Sequence, residues 1–343
     1  MVKDYLNYLR GLATLAVIVI HVSAQYWGGY YGATSWLVFT AYEGVCRVAV
    51  PLFFMISGCL FLDKGRDKSI RSLYTVNIMR LVVFLIFWAM IYKMLFFPME
   101  ATLLDKILTS LSEIAIGDTQ THLWYIYAII GMYILSPILK VFANNATQKQ
   151  LLYAIGCCFV LSSVHVFVIE FPELSFIANH LSKIKGGIEV GYIGFFLLGY
   201  YIDNYEIGKK TRIRLYLTGG VGIILTIAMV MWDCITHYAP LERFWGYTMP
   251  GMVLAAVAVF VFFKYRKLKI KIIDNFLEKV SKYSLGIYGC HMIVITCLWI
   301  MGYTTFSFHA LISVPLISLV VLLISFATAF LIQKIPLVGK YLA

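Results

Sequence analysis

Apolar runs of about 17–25 residues recur along the whole chain, and no other feature of the sequence constrains its fold as strongly. As helices, runs of that length cross the hydrocarbon of a bilayer. Inside hydrocarbon every backbone N–H and C=O needs a partner within the chain, which only helices and closed barrels supply. Ten spans are expected, at roughly residues 5–27, 36–62, 76–97, 122–142, 149–171, 186–203, 213–233, 245–264, 281–301 and 309–332. Composition agrees: 61% of residues are hydrophobic and only 13% charged, against about 25% charged in a soluble domain. The chain therefore reads as an all-α polytopic membrane protein. No stretch between the spans is long enough for a separate soluble domain. One membrane domain is expected over residues 1–343, with no appended soluble domain and with its chemistry in or at the membrane.

Lysine and arginine set the orientation. One set of loops holds Lys64, Arg66, Lys68 and Arg71, then Lys140 and Lys149, then Lys209, Lys210, Arg212 and Arg214, then Lys264 through Lys282. Both termini belong to that set, through Lys3 and Lys340, so both are expected in the cytoplasm. The net charge of +11 is then mainly a topology signal; nucleic-acid binding is not expected, and the basic loops can touch anionic lipid. Val22-Ser23-Ala24 resembles a signal-peptide cleavage site, but so many spans follow that the segment reads as a retained first helix. Seven cysteines, all in or beside apolar runs and without a C-x-x-C pair, read as small packing residues; no metal site is expected. Pro51 should kink the second span or split it. Residues 101–118 read as an amphipathic surface helix, with Leu103, Leu104, Ile107, Leu108 and Leu111 on one face.

The polar residues inside the spans point to chemistry. Arg10 and His21 are eleven residues apart, about three turns plus 20°, so they share one face and stand about 16 Å apart along the axis. Ionisable side chains in lipid normally face the bundle interior. Glu43 and Arg47 lie at i, i+4 in the second span; they neutralise each other, serve a site, or do both. Arg80, opening the third span, is either a snorkelling positive-inside residue or part of the same site. His122 belongs either to an interfacial aromatic belt with Trp124 and Tyr125 or to the outer rim of a site. Ser284, Tyr288 and His291 lie at i, i+4 and i+7 on one face. Glu189 is a carboxylate within a Gly/Tyr-rich span. Asp203 and Asp233 sit at helix ends, where water is expected, and His165 reads as a core residue.

Five motifs in order resemble one family: R-x10-H in the first span (Arg10, His21), R-V-x-V-P-L-F-F-M-I-S-G in the second (residues 47–58), an arginine opening the third (Arg80), H-L-W-Y at the fourth (residues 122–125) and S-L-G-I-Y-x-x-H in the ninth (residues 284–291). Together they resemble the acyltransferase-3 family of integral-membrane acyltransferases, and within it the WecH-type branch of surface-polysaccharide O-acetyltransferases. The resemblance covers essentially the whole chain. It implies transfer of an acyl group, usually acetyl from acetyl-CoA, to a hydroxyl of a cell-surface carbohydrate or its lipid-linked precursor, by a multi-pass protein of a bacterial inner or plasma membrane. It also implies no permanently bound cofactor, with acetyl-CoA as co-substrate. Arg10 and His21 carry over as functional positions, with Arg47, Arg80 and His291 in support. Larger members often add an SGNH-type domain, for which this chain has no counterpart, so a single-step transfer is expected. Many members also have an acidic residue just before F-F-x-x-S-G, where Val50-Pro51 stands here. That leaves the orienting carboxylate unassigned between Glu43 and Glu189.

On these expectations Arg10 and Arg80 grip the donor phosphates, and His21 is the general base. Arg47 stabilises the oxyanion, Tyr288 and His291 position the acceptor, and His122 meets it at the outer rim. Glu43, Trp124, Ser284 and Glu189 complete the expected substrate contacts. The rival from another class is a transporter or exporter of a small polar solute or glycan on the same ten-helix core. A polar path through the bilayer would serve either function; the Arg/His stripe favours chemistry.

Overall fold

The computed structural model describes residues 3–29, 31–66, 69–96, 102–184, 187–266, 270–336 and 338–342. Among these residues every regular element is helical. The first span is α1 (Asp4–Ser23), and the second is split into α2 (Thr34–Cys46) and α3 (Ala49–Phe61). The split falls where the sequence demands it: Pro51 has no N–H for the carbonyl of residue 47, and its ring crowds that carbonyl. A short α4 (Ile70–Ser72) runs through a π-helical turn (Leu73–Ile78) into α5 (Met79–Phe96). Then come α6 (Leu103–Ile116), α7 (Trp124–Asn145), α8 (Gln148–Val168), α9 (Ser175–Ile184), α10 (Ile188–Asn204), α11 (Lys209–His237) and α12 (Pro250–Tyr265). The chain ends in α13 (Lys271–Lys282), α14 (Ser284–Ile300), α15 (Ala310–Gln333) and α16 (Gly339–Leu342).

Each of the ten expected spans holds a helix. Seven are long and apolar enough to cross a membrane, eight if the bent pair α13–α14 counts as one span. The other two, α10 and α12, have 17 and 16 residues, short for a helix that crosses upright, which needs about 20. Both nonetheless lie deep in the bundle, with Phe195, Phe196, Phe260 and Val261 fully buried. The amphipathic α6 forms as expected. A reciprocal Thr102/Asp105 capping box starts it, Gly117 in the left-handed region (φ 79°) ends it, and Leu103, Leu104, Leu108 and Leu111 are exposed.

Two helix contacts fix the frame around α1 and α3. Gly58 on α3 and Gly199 on α10 let the helices meet backbone to backbone. A Cβ at Gly58 would stand 1.9 Å from the Phe196 carbonyl oxygen, and one at Gly199 would stand 2.0 Å from that of Met55. On α1, a Cβ at Gly11 would come within 2.2 Å of the Leu277 carbonyl oxygen, so α13 lies directly on α1. The sequence reading had only a basic loop there. Instead, residues 271–282 form a helix bent 81° from α14, with Ile272, Ile273 and Phe276 exposed.

Two carboxylates expected to sit in water are buried. Asp203 accepts hydrogen bonds from Lys3 Nζ (2.7 Å) and Tyr5 Oη (2.5 Å), which ties the start of α1 to the end of α10. Asp233 faces His237 at 3.1 Å and Arg243 at 3.7 Å. His165 is half-buried, with Nε2 at 3.4 Å from Ser182 Oγ on α9.

Candidate active site

A cavity of about 320 Å³ lies along α1, lined by Arg10, Val17, Ile20 and His21 from that helix. The helical period puts both polar residues on this face, as the spacing predicts, about 16 Å apart along the axis. Arg80 and Asn77 line the Arg10 end, and Arg80 lies within electrostatic reach of Arg10. They stand three residues apart across the join of the π-helical turn and α5, a local irregularity common at functional sites. Lys282 and Ser281 join this end from the α13–α14 corner. Ser57 from α3, Tyr125 and Tyr133 from α7, and His122, Trp124, Tyr247 and Tyr288 complete the lining, with Tyr125 and Tyr133 within electrostatic reach of Arg10. Among the described residues the lining holds three cationic side chains, Arg10, Arg80 and Lys282, and no carboxylate.

At the far end three imidazoles meet. His21 lies 5.0 Å from His291 and 6.1 Å from His122, and His122 lies 5.3 Å from His291, between ring centroids. His291 Nδ1 is 2.7 Å from the Tyr288 carbonyl oxygen. A carbonyl only accepts, so Nδ1 carries a proton and donates to it. Nε2 of His291 and Nε2 of His122 are buried without a hydrogen-bond partner among the described residues. Tyr288 Oη donates to the His122 backbone carbonyl, and Tyr92 packs on the His122 ring at 5.0 Å while donating to the Gly289 carbonyl at 2.9 Å. His122 is thus a buried member of the cluster and not a residue of an interfacial belt. Among the described residues no group of His, Cys, Asp or Glu has the arrangement of a metal site. What the cluster provides is imidazole nitrogens beside a polar cavity.

A family model described as an acyltransferase domain matches residues 3–333. The chain belongs to the acyltransferase-3 family. No curated protein and no solved structure matches it. It is therefore a multi-pass membrane acyltransferase, and arginines and imidazoles share the lining of its cavity.

In this acyltransferase Glu43 and Arg47 stand behind the cavity wall, not in it. Arg47 Nη1 pairs with Glu43 Oε1, and Arg47 Nε donates to the Trp245 carbonyl at 3.1 Å. The guanidinium lies over the rings of Trp245 (4.7 Å) and Tyr247 (5.3 Å), and Trp245 Nε1 donates to Glu43 Oε1 at 3.0 Å. The pair clamps the segment before α12, and that segment presents Tyr247 to the cavity. Arg47 therefore does not line the cavity, but its guanidinium stands within electrostatic reach of His21 while it holds the segment that carries Tyr247. Its fork makes contacts in several directions that a lysine cannot reproduce. Arg47→Lys should therefore insert and fold but lose most of its acyl transfer. A lysine variant nearly as active as the parent would show that only the charge is needed.

His291 is likewise set back. It is fully buried and lines a void of about 10 Å³ behind Tyr288, so it touches His21 rather than the cavity. Ser284 and Tyr288 line the cavity as their shared face predicts. Trp124 does too, stacked between Tyr192 (5.9 Å) and Tyr247 (5.8 Å). Glu189 is exposed in the first turn of α10, its carboxylate folded back over Gly187, and does not reach the cavity. Neither candidate for an orienting carboxylate lines the site, and the ring nearest His21 is that of His291. Sequence reasoning missed Ser57, Asn77, Tyr125, Tyr133, Tyr247 and Lys282. Asn77 was open to inference, being three residues before Arg80 on a helix, as were Ser57 and Tyr125, each inside a quoted motif. Tyr247 fell inside the expected span 245–264, but the helix starts only at Pro250, which leaves residue 247 in the preceding loop without a helical period to give its direction.

Proposed function

We propose that this acyltransferase is a WecH-type O-acetyltransferase of a bacterial cell membrane. It takes acetyl from cytoplasmic acetyl-CoA and places it on a hydroxyl of a cell-surface carbohydrate or its lipid-linked precursor. The observation that carries this reading is the polarity of the cavity: three cations without a carboxylate at one end, imidazoles at the other. Phosphates do not enter an apolar bundle unpaired, and arginine forks suit them. Arg10 and Arg80 hold the donor pyrophosphate while the pantetheine arm runs along α1 and brings the thioester to His21. The His21 imidazole takes the proton of the acceptor hydroxyl, and that oxygen attacks the thioester carbonyl. The carbon–sulfur bond then breaks, and the thiolate of CoA leaves with the proton from His21. Transfer is direct, with no acyl-enzyme, because no serine or cysteine is paired with a histidine in the cavity among the described residues. His291, its Nδ1 proton donated to the Tyr288 carbonyl, orients His21.

The test is purified protein incubated with radiolabelled acetyl-CoA and envelope membranes. Label in glycan as an ester is the expected result. Accumulation of a solute in proteoliposomes without consumption of acetyl-CoA would replace this reading with a transporter. The orientation has its own check. Reporter fusions at Lys340 and in loop 64–71 should report cytoplasm, and fusions near Gln120 and Phe306 the outside. An external carboxyl terminus would put Arg10 on the wrong side for a cytoplasmic donor.

A further inference from the structure

The cavity of about 320 Å³ is too small for a whole acyl-CoA; it sits at the lower end of pockets that hold drug-sized ligands, about 300–1,000 Å³. A second cavity of about 610 Å³ adjoins it and shares three lining residues, Arg10, Ser281 and Lys282. Its other walls are Asn7 on α1 and Asn275, Glu278 and Lys279 on α13. The two form one path that starts on the exposed flank of α13, passes Arg10 and ends at His21. We infer that this second cavity is the nucleotide subsite of the acyltransferase, taking the 3′-phosphorylated adenosine of the donor; the inference rests on the function proposed above.

The division of labour follows from position. Lys282 and Arg10 belong to both cavities, so they face the pyrophosphate at the junction. Lys279 belongs to the outer cavity alone, and it faces the 3′-phosphate. Glu278 would repel a bare anion, but a carboxylate accepts hydrogen bonds from the ribose hydroxyl and the adenine amine, and Asn7 and Asn275 do both kinds of bonding. A lone anion site would not carry that acid and two amides; a phosphorylated nucleoside uses all of them. Gly11 makes the subsite possible, because only without a Cβ does α13 approach α1 closely enough to wall it.

The experiment is calorimetry in detergent with CoA and with dephospho-CoA, for the parent protein and for Lys279→Ala. The parent should bind CoA more tightly than dephospho-CoA by about tenfold, the scale of one exposed charge-assisted contact. Lys279→Ala should lose that preference while binding dephospho-CoA as the parent does. Because Lys279 is exposed on a surface helix, its removal should leave folding intact, and the unchanged dephospho-CoA affinity checks this. If the parent binds CoA and Lys279→Ala keeps the full preference, the subsite is elsewhere although the donor assignment stands. If the parent binds neither form, the donor assignment itself fails, and the subsite with it.

Discussion

Replacing His21 by alanine should lower acetyl transfer by about 10² or more and leave acetyl-CoA binding nearly unchanged, the signature of a lost general base. Arg10→Ala should do the reverse at the donor end, weakening acetyl-CoA binding strongly because it removes a charge-assisted contact made before the chemistry. Two residues of one helix face would then separate cleanly into a binding and a chemical role, 16 Å apart along the axis by about three turns of helix. Both variants should insert, since removing a polar group from a span eases its partition into lipid. Calorimetry in detergent reads the first quantity and label incorporation the second. Loss of donor binding in His21→Ala with normal binding in Arg10→Ala would mean the roles are exchanged. Normal transfer in both would make the stripe structural.

The second large effect concerns the frame. Gly58→Ala puts a methyl group where the Phe196 carbonyl oxygen is 1.9 Å away, and Gly199→Ala does the same against Met55 at 2.0 Å. Backbone cannot rotate aside as a side chain can, so α3 and α10 must part. Doing so loosens the packing of Phe54, Met55, Phe195 and Phe196, which are fully buried. The cost should exceed the usual range for overpacking, about 1–3 kcal/mol. Most of the protein should then be lost from the monodisperse fraction in detergent. Because α3 also carries Ser57 and Phe53 in the cavity wall, whatever survives should transfer acetyl poorly. Parent-like yield and melting for both variants would show that the two helices do not meet at these glycines.

What the sequence could reveal followed the range of its local rules. The helical period joined Arg10 to His21 and Ser284 to Tyr288 and His291, and the structure keeps both faces. Pro51 announced the break between α2 and α3. The neighbours of Arg47 were beyond such rules. Trp245, some 200 residues away in the chain, supplies its carbonyl to Arg47 and its indole N–H to Glu43, so a pair that looked half-available is engaged by a loop. Glu189 failed for a related reason: its span was placed correctly, but the helix begins at Ile188 and leaves the carboxylate in the exposed first turn. The basic segment before residue 283 was read for its charge alone. Its role as a helix on α1 depends on Gly11, whose purpose appears only when Leu277 is seen against it.

The central claim is that the donor lies along α1 with its thioester at the imidazoles. The most direct measurement is electron cryomicroscopy of the full chain in nanodiscs with a thioether analogue of acetyl-CoA, which binds but cannot transfer. The predicted density runs from the Lys279–Lys282 flank of α13 past Arg10 and Arg80 to end beside His21 and His291. Density that seats the phosphates outside this path, or that leaves the acyl end remote from His21, would contradict the account.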